Sequence, residues 1–482
     1  MPGQVTAVPV GFRFRTEPTV RQIGDRLIGG RPLRVLQLSP AGLSAWAELR
    51  AGRVASPAAG RLARRLSDAG FGHPVPPPGP SPEVTVVVPV RDRPQALERC
   101  LAGLDHRYPV VVVDDASIEP AAVAAVAARH GARLLRRGRN GGPAAARNDG
   151  WAAVRTPLVA FLDSDCEPDG DWISRLAAHF ADPMVAAVAP RVIVRPTGST
   201  AGRHAAIRGA LDLGTLPGRV GPGGRVAYVP SAALLVRRAA LPTAPFDVDL
   251  RIGEDVDLVW RLDRAGWRVR YDPAVTVAHA PPSGWPELLK RRHSYGTSAA
   301  PLAVRHPGAL APLIGEPWSL TAIAALLLGR RRCAAAVLLA AVAAERRVRI
   351  DAGAGPAGAV GAVLTRAGLT LRSAGTYATQ LLGPALVAAL VAGSRPGATP
   401  PARRLATVVG ALLIAPPVAT GFSRRPPGNP ARFVLAHVAE DIAYGSGVLH
   451  GCMRTRTARA LRPVVARGPS LRGVGAQEGK PG

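Results

Sequence analysis

Lysine is almost missing from this chain. Of its 61 basic residues only Lys290 and Lys480 are lysines, so the cationic surface is made of guanidinium groups, which suit phosphates and carboxylates. Set against 33 acids, these give a formal net charge of +28. A chain rich in Arg, Ala, Gly and Pro and poor in Lys also reflects GC-rich coding, so charge alone does not point to nucleic acid and no nucleic-acid partner is expected. Cysteine is scarce: Cys100, Cys166, Cys333 and Cys452 are scattered, with neither a CxxC nor a Cys/His cluster. That excludes a disulfide framework and a zinc site and fits a reducing compartment. The first 30 residues contain no long apolar run, so no secretory signal is expected and the reading is cytoplasmic. The glycine-rich segment RNGGPAAARNDG, 139–150, lacks both phosphate-binding fingerprints, GxGxxG and GxxxxGK[ST], so it is neither a dinucleotide fingerprint nor a P-loop. Carboxylates are absent between Asp351 and Glu440.

What is present divides into blocks. With 482 residues, 47% of them hydrophobic, the chain is too long for one core and too apolar for disorder. Residues 1–73 read as short strands around Gly29-Gly30, then helices opened by Ser39-Pro40 and Pro57, a small β-then-α module. Residues 74–82, from Pro74 to Pro82, form a proline-rich extended linker. From Glu83 the pattern becomes Val/Ile runs at 84–90, 110–115, 132–136 and 158–165, with helical composition at 94–104, 119–130 and 143–155. Continuous apolar strands alternating with helices predict an α/β nucleotide-binding architecture with a parallel sheet.

Beyond about residue 309 the composition changes to Ala, Leu and Arg. Residues 330–482 carry 21 basic and five acidic groups, more than half of the net charge. The uncharged stretches 373–394 and 405–423 are long enough to cross a bilayer, but Gly383-Pro384 and Pro416-Pro417 interrupt them and arginines flank both ends. One reading is a packed bundle of Ala-rich helices. The favoured one is a helical region, 309–465, lying on or dipping into an anionic membrane surface. Residues 466–482 read as a disordered tail.

Chemistry-bearing residues gather at the carboxyl ends of the strands, where ligands bind in such sheets. The first strand leads through Pro89 to Arg91, and the second to Asp115 and Ser117, which are either acceptors for a base N–H or a ribose hydroxyl, or caps of the following helix. The segment RNGGPAAARNDG, 139–150, offers Asn140, Gly142, a helix N-terminus and Arg147 to a diphosphate or to neighbouring carboxylates. Asp163 and Asp165 follow the fourth strand, where two carboxylates converge on a hard cation such as Mg²⁺ or Mn²⁺. Glu254 and Asp255 open a helix whose apolar face is Val256, Val259, Trp260 and Leu262. They either complement its dipole or supply a general base, Asp255. His279, ending the next strand, is a further candidate metal ligand. Arg291, Arg292, His293 and Tyr295 follow, as contacts for a diphosphate or a sugar chain, or as a basic face towards lipid.

The ordered set DDAS, GGPAAARNDG, DSD and ED ahead of a strand ending in His resembles the family 2 glycosyltransferases over about residues 83–300. The resemblance implies the A-type nucleotide-sugar fold, a metal-dependent hexosyltransferase of inverting type and a UDP-sugar donor. It places Pro89, Arg91 and Asp115 at the uracil, Asp163 at the ribose, Asp165 at the metal and Asp255 as the base, and makes 83–308 the catalytic domain. Arg91 stands where many members have an aromatic residue. The segments VGFRFR, LSPAG and RRHSYGTSAAPLAVRHPG narrow the resemblance to the glycosyltransferases of the mycofactocin system. That group implies transfer of glucose from UDP-glucose to a peptide-derived redox cofactor, in β-linkage, at the inner face of the cell membrane. Residues 1–73 are similar to the winged-helix peptide chaperones of related pathways, implying a precursor-peptide partner held by strand addition. The alternative is a rhamnosyl or other sugar transferase acting on a lipid or cell-wall acceptor.

Overall fold

The computed structural model describes residues 6–30, 34–79, 82–168, 171–310, 313–351, 357–426 and 428–465; the tail 466–482 lies outside the described residues. The chain divides into two units, the first ending at Pro282 and the second beginning at Ser283.

In the first unit, residues 13–75 build a small module. It contains β1 (Arg13–Thr16), β2 (Arg21–Ile23), β3 (Arg26–Gly29), β4 (Arg34–Gln37), α1 (Pro40–Arg50), α2 (Pro57–Asp68) and β5 (Gly72–Val75). Both helices begin with proline behind a serine cap, Ser39 accepting from the Gly42 N–H and Ser56 from the Ala59 N–H. Proline costs nothing there because the first turn has no intrahelical partner for its N–H. Phe12, Phe14, Leu27, Trp46, Leu49, Leu66 and Phe71 form the core. The proline-rich segment is partly structured: β5 pairs antiparallel with β1, bringing His73 opposite Arg15.

The rest of the unit is one sheet with helices around it. Its elements are β6 (Val84–Val90), α3 (Pro94–Ala102), β7 (Val110–Asp114), α4 (Pro120–Arg129), β8 (Arg133–Arg136), α5 (Gly142–Ala153), β9 (Leu158–Leu162), β10 (Cys166–Pro168) and α6 (Trp172–Ala177). They continue with β11 (Val185–Val194), α7 (Thr200–Arg208), β12 (Gly218–Val220), β13 (Ala233–Arg237), α8 (Glu254–Arg264) and β14 (Arg268–His279). The strands run in the order β10-β14-β11-β13-β9-β6-β7-β8, with β12 beside β14. Four of them, β8, β7, β6 and β9, are mutually parallel, as the continuous valine runs predict. The sheet as a whole is mixed, because β13 inserts antiparallel between β9 and β11. The order reverses between β6 and β9, and the crevice of a doubly wound sheet opens at that switch point. Arg91 to Arg93 and Asp163 to Asp165 follow these two strands.

The second unit is helical: α9 (Trp285–Thr297), α10 (Ala299–Arg305), α11 (Pro317–Leu327), α12 (Arg331–Asp351), α13 (Ala359–Gly393), α14 (Pro400–Arg424) and α15 (Pro430–Arg454). Residues 285–305 therefore group with it rather than with the sheet. α13 packs on α14 and α15, and α9 on α15. Two of these helices, α13 and α14, are long and apolar enough to cross a membrane by length and composition, with mean hydropathy 1.3 and 1.8. Leu364, Leu369, Leu382, Leu405 and Phe422 are exposed on them.

The expected interruptions at Pro384 and Pro416-Pro417 are absent, and both helices run through their prolines. A proline frees the carbonyl four residues earlier, and neighbouring helices here approach those carbonyls at glycines. Pro384 frees Gln380, whose carbonyl oxygen lies 1.6 Å from where a Cβ on Gly445 of α15 would stand. Pro416 frees Leu412, whose oxygen lies 2.5 Å from the corresponding point on Gly375 of α13. In the basic segment, Arg291 pairs with Glu287, Arg292 lies over the Tyr444 ring and His293 Nδ1 is 2.8 Å from Ser446 Oγ.

Candidate active site

Backbone turns at the strand ends hold the first group of residues. Pro89 is buried in β6, paired with Val113. After Val90, Asp92 adopts φ 54°. Its N–H donates to Ser117 Oγ at 3.0 Å and its Oδ1 accepts from the Ile118 N–H at 2.6 Å. Ser117 N–H donates to Asp114 Oδ1 at 2.9 Å. The loops after β6 and β7 are thus laced together, and the Ser117 hydroxyl is part of the lacing. Arg91 projects outward, its Nε 3.3 Å from Asp92 Oδ2.

Asp115 meets the amino end of α5. Its Oδ1 accepts from the Gly141 N–H at 2.9 Å and from Arg137 Nη1 at 2.5 Å, and its Oδ2 accepts from the Gly142 N–H at 2.8 Å. Asn140 Oδ1 accepts from the same Gly142 N–H at 3.0 Å. The glycine-rich segment thus presents its open amides to a carboxylate of the chain itself, the second of the two uses read for it.

One turn further along α5, Arg147 ties the two acidic motifs together. It is 3% exposed, and its Nη2 donates to Asp163 Oδ1 at 2.6 Å while its Nη1 donates to Glu254 Oε1 at 2.7 Å. Burial works against its charge, but Asp163 and Glu254 outweigh burial and raise its pKa. The acids after β9 and at the start of α8, about 90 residues apart in sequence, are therefore side by side.

Next to Glu254, Asp255 Oδ2 accepts from the Ser231 N–H at 3.1 Å and Oδ1 from the Val256 N–H at 2.7 Å. Burial raises the Asp255 carboxyl above its ordinary value. For Glu254, burial first and the adjacent Asp255 charge second raise the pKa to about 7, against the pull of Arg147. Two neighbouring carboxyls that resist ionising together give one readily available acceptor near neutral pH.

Asp165 and His279 form the last pair, Oδ1 to Nε2 at 3.4 Å. His279 Nδ1 donates to the Ala280 carbonyl at 2.8 Å, which leaves Nε2 facing the carboxylate. With Nε2 unprotonated, this pair offers a cation one nitrogen and one oxygen ligand. No group of three or more His, Cys, Asp or Glu suited to a metal occurs among the described residues. A two-donor set still fits Mg²⁺ or Mn²⁺, ions that commonly take one or two protein ligands and complete their shell with substrate phosphates and water. Asp165 Oδ2 also accepts from Arg93 Nη1 at 2.6 Å.

Arg93, Arg137 and Ser231 are contacts that the sequence reading missed. Arg93 and Arg137 each stand close to a motif residue, at the end of PVRDR and just ahead of RNGG, which was the available signal. Ser231 had none, since it acts through its backbone.

The fold is that of the A-type nucleotide-sugar transferases. Residues 85–241 match the family described as Glycosyl transferase family 2, and the chain belongs to the family 2 glycosyltransferases with the A-type fold. Within that family it falls among the glycosyltransferases of the mycofactocin system. It is 37% identical over 477 residues to the pre-mycofactocin glycosyltransferase of Mycobacterium tuberculosis strain H37Rv, covering 95% of this chain and 99% of that protein. Among solved structures, a mannosyltransferase from Pyrobaculum calidifontis in complex with GDP-mannose and Mn²⁺ is 23% identical, covering 73% of this chain and 90% of that one, with TM-score 0.39. The glucosyl-3-phosphoglycerate synthase of Mycobacterium tuberculosis, with Mn²⁺, UDP and glucosyl-3-phosphoglycerate, is 18% identical, covering 46% of this chain and 80% of that one, with TM-score 0.34.

Proposed function

We propose that this glycosyltransferase transfers glucose from UDP-glucose to the peptide-derived redox cofactor of the mycofactocin system, with inversion, building β-linked sugar. The observation that carries the chemistry is Arg147 holding Asp163 against Glu254, with Asp255 beside them. Asp255 takes the proton of the acceptor hydroxyl as that oxygen bonds to the anomeric carbon. The bond from that carbon to the diphosphate breaks, and its electron pair leaves with UDP. Attack from the side opposite the leaving group turns an α-linked donor into a β-linked product.

Pro89, Arg91, Asp115 and Ser117 line the uracil position, Asn140 and Gly142 shape its edge, and Asp163 serves the ribose. Asp165 and His279 are the residues that would hold Mg²⁺ or Mn²⁺, which when bound neutralises charge on the departing diphosphate. Arg147 keeps Asp163 and Glu254 in register, so that one displacement would disturb donor and base together. Residues 1–73 are the handle for the acceptor's precursor peptide, and the enzyme works in the cytoplasm at the inner membrane face.

A second reading, transfer of rhamnose or another sugar to a lipid or cell-wall acceptor, is favoured by the exposed apolar residues of α13 and α14. The test incubates the purified full chain with isotope-labelled UDP-glucose, Mn²⁺, the candidate cofactor and a detergent extract of membrane lipid, and reads product mass and anomeric configuration. Whole-hexose mass increments with a β anomeric coupling support the first reading. Label found only in detergent-extracted lipid overturns it in favour of the second.

A further inference from the structure

Three arginines hold acids of the candidate site, and they do not hold them alike. Arg147 is bonded to Asp163 and Glu254, and Arg137 to Asp115 and Asp149, with side chains 4% and 18% exposed. Arg93 makes one side-chain hydrogen bond among the described residues, from Nη1 to Asp165 Oδ2 at 2.6 Å, and its side chain is 51% exposed. Asp165 is 12% exposed, so the guanidinium is the solvent-facing member of the pair.

The backbone beneath Arg93 is fixed. Pro94 restricts its conformation, and its carbonyl accepts from the Leu97 N–H at 3.0 Å in the first turn of α3. A change of partner by Arg93 therefore needs only rotation about its side-chain bonds, which is fast at an exposed position.

Asp165 has a second suitor. With His279, whose Nε2 lies 3.4 Å from Oδ1, it is the carboxylate read above as a ligand for Mg²⁺ or Mn²⁺. A guanidinium and a divalent cation on one carboxylate repel each other by more than an exposed ion pair is worth. The neighbouring acids are already engaged. Asp92 accepts from the Ile118 N–H and lies 3.3 Å from Arg91 Nε, and Glu167 accepts from Arg99 and from Arg195, each at 2.9 Å. The anion that arrives with the cation is the donor's diphosphate, and a guanidinium matches its oxygens.

We propose that Arg93 is a diphosphate-binding residue that changes partners: it pairs with Asp165 until a divalent cation takes that carboxylate, and then donates to the diphosphate oxygens of the nucleotide-sugar. This rests on the reading of Asp165 as a metal ligand and of the donor as a nucleoside diphosphate-sugar. One side chain then opposes the cation bound alone and favours cation and nucleotide bound together, so each ligand strengthens the other.

The test uses the full chain at about 0.15 M salt, where general charge effects are screened. Mn²⁺ binding is read from the paramagnetic resonance of free ion, and UDP binding, with and without saturating Mn²⁺, by calorimetry. In Arg93→Ala, Mn²⁺ alone should bind about two to five times more tightly, because the competing ion pair is gone. UDP in saturating Mn²⁺ should bind about tenfold more weakly or worse, because a charge-assisted bond is lost. Arg93→Lys keeps the charge without the fork and should recover part of that affinity. Arg99→Ala removes the same charge from the adjacent exposed pair with Glu167 and should change neither constant by more than about twofold. Opposite movements of the two constants are what a merely structural role does not give, since a distorted site weakens both. Both constants moving the same way, neither moving, or Arg99→Ala matching Arg93→Ala each overturns the proposal. If Mn²⁺ fails to strengthen UDP binding even in the parent, the metal reading of Asp165 falls and takes this inference with it. A strong Mn²⁺ effect in the parent that survives Arg93→Ala unchanged overturns the inference alone.

Discussion

At the residue scale the proposed site rests on a few acids with separable duties. Asp255→Asn removes the proposed proton acceptor while keeping shape, and should lower sugar transfer by roughly three orders of magnitude or more with little change in donor affinity. Asp165→Asn should instead abolish any divalent dependence of UDP binding. Calorimetry with UDP, with and without Mn²⁺, together with turnover, tells the two apart. Arg93→Ala frees Asp165 Oδ2 of its guanidinium partner. Mn²⁺ affinity, read from the paramagnetic resonance of free ion, should then rise severalfold, because the cation no longer competes with an arginine.

The Glu254 carboxyl gives a pH dependence whose sign can be worked out. Its ordinary value is 4.5 and in the folded chain it is raised to about 7, so between these the folded state binds more protons than the unfolded one. Its contribution to stability is complete below about pH 4.5 and is lost as pH climbs to about 7. Melting temperature measured across that window should fall less steeply in Glu254→Gln than in the parent, and an equal slope in both proteins contradicts the assignment.

Much of this was legible in the sequence, for a physical reason. Acids at the ends of buried strands have few options, so DSD and DDAS announce themselves by position. The partners did not, because an arginine such as Arg93 or Arg137 reaches its target through flexible carbons whose direction no short pattern fixes.

At the scale of elements, the central valine runs became strands because a continuous apolar stretch can only be buried on both sides. The antiparallel insertion of β13 was invisible, since its ALLVR reads the same in either direction. The prolines of α13 and α14 misled differently: the rule that proline breaks a helix assumes a freed carbonyl has nowhere to go. Here Gly445 and Gly375 let a neighbouring helix come up to it. Gly445→Val has no room, with the Gln380 carbonyl 1.6 Å from its Cβ, and should cost the helical unit about 2 kcal/mol or more. Gly361→Ala, whose Cβ meets nothing within 4 Å, is the control and should cost nothing. Helicity followed through urea unfolding compares the two.

For the whole molecule, ion pairs do the joining within the first unit. Arg64 with Asp182, Arg268 with Asp68 and Arg225 with Glu17 all link the N-terminal module to the sheet portion. Of these the first is 1% exposed on both sides, so Asp182→Asn strands a buried guanidinium and should destabilise the unit by about 3 kcal/mol in chemical denaturation. Fully solvated pairs would cost far less. The second unit calls for a different measurement. If the exposed leucines of α13 and α14 enter lipid, the full chain should float with anionic vesicles and stay with them at 1 M salt, whereas arginine attraction alone is screened away.

The strand β14 starts at Arg268, bonded to Asp68 of the module, passes Arg270 under the module and finishes at His279 beside Asp165. A single strand, bulged against β11 between Asp272 and Thr276, thus connects two chemically unrelated places. Losing or gaining one residue between Thr276 and His279, past the bulge, would swing alternate side chains to the wrong side and carry His279 away from Asp165.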